Sequence, residues 1–143
     1  MKDLSHAGYR ALAEFRFQIR RFLRFSEDQV RQHGIEPQQH QLLLTIKGLP
    51  EAVVATIGEL AGRLQLRHHS VVELVDRLEE HGYVIRQAGK QDRRQVIVRL
   101  TPAGSNLLRK LSLAHHEELE AAGPALAQAL RSLMKPSRRG RAA

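Results

Sequence analysis

The sequence predicts a mainly α chain with one small β-hairpin. Apolar residues recur at three- and four-residue steps over most of its 143 positions, the period of a helix with one buried face. Residues 83–100 depart from that period: two short alternating runs flank a polar tip that contains Gly89. Thr, Pro and Gly stand where the pattern changes, as helix starts and stops require.

In chain order, Tyr9, Leu12, Phe15, Ile19, Phe22 and Leu23 predict a first helix over 9–33. Its apolar surface is wide, because Phe17 and Phe25 fall off the main stripe, and a helix apolar on more than one face is expected to bury against two partners. Gly34 stops it, and Pro37, whose missing N–H costs nothing in a first turn, opens a second helix over 37–47. Gly48 and Pro50 close that helix, and the apolar run 52–55 predicts a brief strand. Thr56 and Glu59 have the spacing of a capping box for a third helix reaching about Leu64. A turn through 65–67 leads to a fourth helix, with Val71, Leu74, Val75 and Leu78 as its core stripe and His81 and Gly82 as its end. After the hairpin, Thr101 and Pro102 start a fifth helix to about Ala122. Gly123 and Pro124 are expected to break it, leaving a sixth helix over about 125–134 and a basic, disordered tail over 136–143.

Composition narrows the function classes. The absence of cysteine excludes disulfides, thiolate nucleophiles, sulfur-ligated zinc and thiol-based redox sensing together. No apolar run approaches the about 18 residues that span a bilayer, and the first apolar positions are scattered among Lys2, His6, Arg10 and Glu14, so a soluble, cytoplasmic protein without a membrane partner is expected. The net charge of +8 favours a polyanionic partner, nucleic acid before membrane surface. Residues 83–100 carry five basic side chains, Arg86, Lys90, Arg93, Arg94 and Arg99, against the single acid Asp92.

Two short helices joined by a tight turn, the second apolar on one face and polar on the other, are the layout of a helix-turn-helix. With its second helix in a major groove, a basic hairpin that follows it reaches the neighbouring minor groove, where arginine fits best. Arg94 is the candidate, with Asp92 two residues earlier able to hold its guanidinium. The competing reading is a solvated loop with a surface ion pair.

At this point the sequence resembles the MarR family of winged helix-turn-helix regulators over nearly its whole length. The resemblance rests on Glu36-Pro37-Gln38-Gln39, on Thr56-Ile57-Gly58-Glu59-Leu60-Ala61, on the run from Leu74 to Val84, and on Asp92-Arg93-Arg94 followed after the strand by Leu100-Thr101-Pro102-Ala103-Gly104. It implies a winged helix-turn-helix domain over 34–101 and a helical dimerisation region over 1–33 and 102–135. It further implies a homodimeric regulator, expected to be a repressor, on a pseudo-palindromic site in double-stranded DNA. Phe17, Leu107, Leu111, Leu119, Leu126 and Leu130 are the apolar positions expected to supply the dimer interface. The family's base-reading positions fall on Arg67, His68, His69, Ser70 and Glu73, and its wing contacts on Lys90, Asp92, Arg93 and Arg94. Val72 and Glu73 depart from the polar or basic residues usual there, and a carboxylate repels phosphates unless a cytosine amine donates to it. Many relatives bind a small aromatic or anionic effector, and Arg16, Phe17, Arg20, His33 and His40 are the residues expected to bound such a pocket.

No cofactor or metal is expected. The pairs His68-His69 and His115-His116 diverge by about 100° on a helix, so neither converges on one ion. No H-E-x-x-H, phosphate-cradling glycine loop or serine-centred elbow is present, so an enzyme is not expected. The alternative from another class is a sequence-independent packaging or RNA-binding protein that uses the +8 charge.

Overall fold

The computed structural model describes residues 3–134. Its elements are α1 (His6–Gln32), α2 (Pro37–Lys47), α3 (Ile57–Leu64), α4 (His68–Glu80), β1 (Val84–Ala88), β2 (Val96–Leu100) and α5 (Pro102–Met134). The chain parts into two compact units, residues 27–113 and the remainder, so α1 and α5 each run through both. The expected tail at 136–143 lies outside the described residues.

Residues 27–113 hold the core. Leu42, Leu43, Leu60, Val71, Val75, Leu78, Val84, Val98 and Leu111 lie there at zero or near-zero exposure. These side chains come from α2, α3, α4, the hairpin and the start of α5, so the helix-turn-helix and its hairpin share one apolar interior. Leu107 and Leu111, expected at a dimer interface, are buried in this core instead. Leu74 is only half-buried at its edge.

Local chemistry explains most boundaries. α1 begins three residues earlier than its periodicity suggests, because the Ser5 hydroxyl accepts from the Gly8 amide at 3.1 Å and caps it. Gly34 ends it in the left-handed region at φ +84°. At α3 the Glu59 amide donates to the Thr56 hydroxyl at 3.1 Å, but the reciprocal half of the expected box is missing. Arg63 takes the Glu59 carboxylate at 2.9 Å, while the Thr56 amide donates to the Val54 carbonyl at 2.9 Å. A reciprocal bond forms one helix earlier, where the Glu36 amide donates to Gln39 Oε1 at 2.9 Å.

Two expected elements are corrected. The run 52–55 is not a strand: Val53 donates back to Pro50, and what remains is a single bridge from Thr56 to Ile97, beside a bond from the Val98 amide to the Ala55 carbonyl at 2.9 Å. Nor does Gly123-Pro124 divide the last helix, since α5 continues through Pro124 to Met134. Proline removes one amide donor and crowds the carbonyl four residues back, and thirty-three residues of surrounding helix carry that local defect.

The other unit, built from the first part of α1 and the last part of α5, is short of interior. Among its described residues only Gln18, Ser26, His115 and Ala129 are buried, and none is a large apolar side chain. His115 lies edge-on to Phe22 and Phe25, with ring centroids 6.1 Å away in each case. Tyr9, Leu12, Phe17, Leu23, Leu119, Leu130 and Met134 stand exposed around it.

Candidate nucleic-acid interface

The turn between α3 and α4 is tight because Gln65 takes the left-handed conformation at φ 56° and the Leu66 amide donates to the Ala61 carbonyl at 3.0 Å. Arg67 then caps α4 in extended conformation, without a side-chain bond to the helix. Arg67, His68 and His69 are exposed, as is Glu73, while Ser70 is half-buried. Val71, Val75 and Leu78 fix the opposite face in the core, so the helical period turns His69 and Glu73 outward. Ser70 and Glu73 also line a groove of about 510 Å³ against the start of α2, together with Arg31 and Arg77.

The hairpin is a regular antiparallel pair from Val84↔Leu100 to Ala88↔Val96. Val84 and Val98 face inward and are buried. At the tip the Gly89 amide donates to the Gln95 carbonyl at 3.0 Å, and a Cβ on Gly89 would collide with the Asp92 carbonyl. Asp92 Oδ1 accepts from the Arg94 amide at 3.0 Å and from Arg94 Nε at 3.3 Å. The Arg94 side chain is nevertheless 93% exposed, so the carboxylate steadies its base and leaves the guanidinium open. Lys90 and Arg93 are exposed beside it.

α4 and the hairpin tip meet at one concavity. A groove of about 380 Å³ is bounded by His68 and Val72 of α4, by Thr56 and Ile57 at the start of α3, and by Arg94 and Val96 of the wing.

Arg86 has a different place from the one its charge suggested. It stands on the inward face of β1, in line with Val84, and its guanidinium pairs with Asp76 and, at 2.8 Å, with Glu79 Oε1. Its amide adds a 3.0 Å bond to Glu79 Oε2. Hydrogen bonding to Asp76 is the main cause that holds its pKa above the ordinary arginine value, with Glu79 adding to it. Arg86 also lines the groove of His68 and Arg94, but its charge there is shared with two carboxylates of α4. The sequence signal was its register: alternation places it on the same side as Val84 and Val98, where an arginine needs a partner.

The five residues expected to bound an effector pocket are divided. Arg16, Phe17 and Arg20 belong to the helical unit and are exposed, Phe17 with the Arg21 guanidinium 5.7 Å from its ring centre. His33 and His40 belong to the other unit. His33 Nδ1 is 2.8 Å from the Gln29 carbonyl, and His40 is buried. Neither groove described above is lined by any of the five.

Residues 33–95 match the model of the MarR family, a stretch that covers the helix-turn-helix and the wing to its tip. Over that stretch the chain is similar to the MarR family. It is 29% identical over 109 residues to the uncharacterized HTH-type transcriptional regulator YkoM of Bacillus subtilis, covering 74% of this chain and 69% of that one. It is 31% identical over 88 residues to YsmB of the same organism, covering 62% and 58%. The chain thus spans roughly three fifths to two thirds of the length of these relatives. Among solved structures, MepR of Staphylococcus aureus superposes with a TM-score of 0.70 at 20% identity, over 84% of this chain and 87% of that one. A mutant Escherichia coli MarR, solved with operator DNA, gives 0.62 at 22% identity, over 84% and 90%. Among the described residues, no helix is long and apolar enough to cross a membrane.

Proposed function

We propose that this chain is a MarR-family regulator that binds double-stranded DNA as a homodimer, α4 reading base edges from Arg67 to Ser70 and the wing tip entering the adjacent minor groove through Arg94. The observation that carries the reading is the shared groove of His68 and Arg94, with an arginine held at its base by Asp92 and open at its head. Arg67, His68 and His69 can address guanine acceptors, Ser70 a phosphate or base, and Lys90 and Arg93 the backbone. Glu73 contributes only where a cytosine amine can donate to it.

The helical unit supports the homodimer. A unit of two long helices without a buried large apolar side chain gains a core when a second copy covers it. Leu119, Leu126 and Leu130 recur at steps of seven and four, so they share one stripe of α5, two of them exposed. A two-fold dimer presents two readers, and the matching site is pseudo-palindromic, with half-sites about one helical turn apart. The repressor role follows by occupancy, since a dimer across a promoter excludes other proteins from it. Release by a small anionic or aromatic effector belongs to the same reading, held at exposed Arg16, Phe17 and Arg20; His33 and His40 support it less.

The wing supplies a direct test. Arg94→Ala is expected to weaken specific duplex binding roughly tenfold at physiological salt while leaving the dimer intact. Equilibrium titration beside sedimentation measures both, and an unchanged affinity would sink the wing assignment.

A further inference from the structure

We infer that Arg86 is the positioning residue of the wing: by clamping β1 to α4 it sets where Arg94 stands and offsets part of the acidic charge of α4. The inference rests on the DNA reading proposed above.

The geometry supports it from three sides. Arg86 reaches two acids one turn apart on α4, Asp76 and Glu79, so a single guanidinium fixes the strand along the helix as well as toward it. The Arg86 amide donates to the same Glu79 carboxylate at 3.0 Å, which ties the β1 backbone itself and not only a flexible side chain. A further bond runs from Arg86 Nη2 to the Val72 carbonyl at 3.5 Å, and Val72 lines the groove that holds His68 and Arg94. The side chain is 28% exposed, more shielded than either acid, so solvent screens these pairs less than an ordinary surface ion pair.

Charge gives the clamp a second consequence. α4 and its approach carry Arg67 and Arg77 against Glu73, Asp76, Glu79 and Glu80, an excess of acid on a helix that must approach phosphates. With Asp76 and Glu79 paired to the single charge of Arg86, that excess falls from two to one, so Arg67, His68 and His69 meet the duplex against less of it. A surface decoration would do neither; this arginine faces inward beside Val84 and Val98.

The test is a double-mutant cycle on a duplex recovered by selection from random sequence, with far-UV circular dichroism to establish folding. Arg86→Met removes the guanidinium but keeps an unbranched stem of similar reach. Specific affinity is expected to fall about tenfold. In that background Arg94→Ala is expected to cost less than about threefold, because a displaced wing no longer delivers Arg94. The pair Asp76→Asn with Glu79→Gln removes the clamp from the other side, and the same loss of the Arg94 effect is expected although two repelling charges are gone. It also replaces Arg86→Met should that variant fail to fold. A purely structural arginine would lower thermal stability and leave the Arg94→Ala effect at its full tenfold in both backgrounds, and that result overturns the clamp. An Arg94→Ala change silent in the native chain overturns the wing's role in DNA binding, and the clamp with it.

Discussion

Leu119→Glu is expected to convert the protein to a monomer and to lower its affinity for a symmetric duplex at least about a hundredfold. Leu119 is 40% exposed on α5, and within one chain a change at such a surface position stays within about 0.5 kcal/mol. A large effect must therefore come from a second copy. A carboxylate placed in an apolar interface loses its hydration without gaining a partner, at a cost of several kcal/mol, and the two-fold pairing multiplies it because both copies carry the change. Affinity follows, since the second reader binds as an intramolecular event only while the dimer holds, a gain of roughly 10²–10⁴. Sedimentation equilibrium gives the mass and titration gives the affinity. A dimeric mass with native affinity would place the interface elsewhere.

Gly104→Ala is expected to destabilise the fold by about 3 kcal/mol, the upper end of what overpacking costs. Gly104 lies in the first turn of α5, where Thr101 accepts from its amide at 3.0 Å. A Cβ there would run into the Tyr83 carbonyl, which is backbone and cannot swing aside. That carbonyl already accepts from the Thr101 amide at 3.0 Å, and the Thr101 hydroxyl donates to the Gly82 carbonyl at 2.6 Å. The added methyl therefore pushes apart the end of α4 and the beginning of α5, which those bonds hold together. A chain of this size loses roughly 10 °C in Tm for that cost. Gly62→Ala is the control of opposite sign: it is a helical glycine with open space around it, so alanine there adds about 0.5–1 kcal/mol. Thermal unfolding of both variants measures the difference, and equal shifts would contradict the close approach.

Much of the reader was legible because its signals are local. α2 has the bounds its proline and glycine implied, and Gly34 and Gly82 adopt the positive φ expected of helix-ending glycines. The Thr101-Pro102 start of the last helix and the Asp92–Arg94 pair likewise follow from residues a few positions apart. What escaped depends on distant partners. Leu107 and Leu111 have the same helical period as Leu119, and only the tertiary fold decides that the first two meet the core while the third stays open. The run 52–55 carries strand-forming residues, yet its amides turn back locally and leave one bridge. Pro124 reads as a break because propensity is local, whereas the helix on both sides of it is long. Arg86 was counted with the wing charges because a tally of charge is blind to a partner ten residues earlier on another element.

That last correction changes how the interface is weighted. With Arg86 engaged, the wing's open charge comes from Lys90, Arg93, Arg94 and Arg99, and α4 is less acidic than its sequence suggests. On the proposed reading, affinity depends on the tip, and selectivity on the short stretch from Arg67 to Ser70.

The central claim is that two copies read one duplex through α4 and the wing. Selection of bound sequences from random double-stranded DNA tests it most directly. The account predicts an inverted repeat with half-sites about one helical turn apart, bound at least about a thousandfold more tightly than random duplex. Recovery of no symmetric motif, with equal affinity for every sequence and a steep salt dependence, would contradict it and favour a sequence-independent binder that uses only the +8 charge.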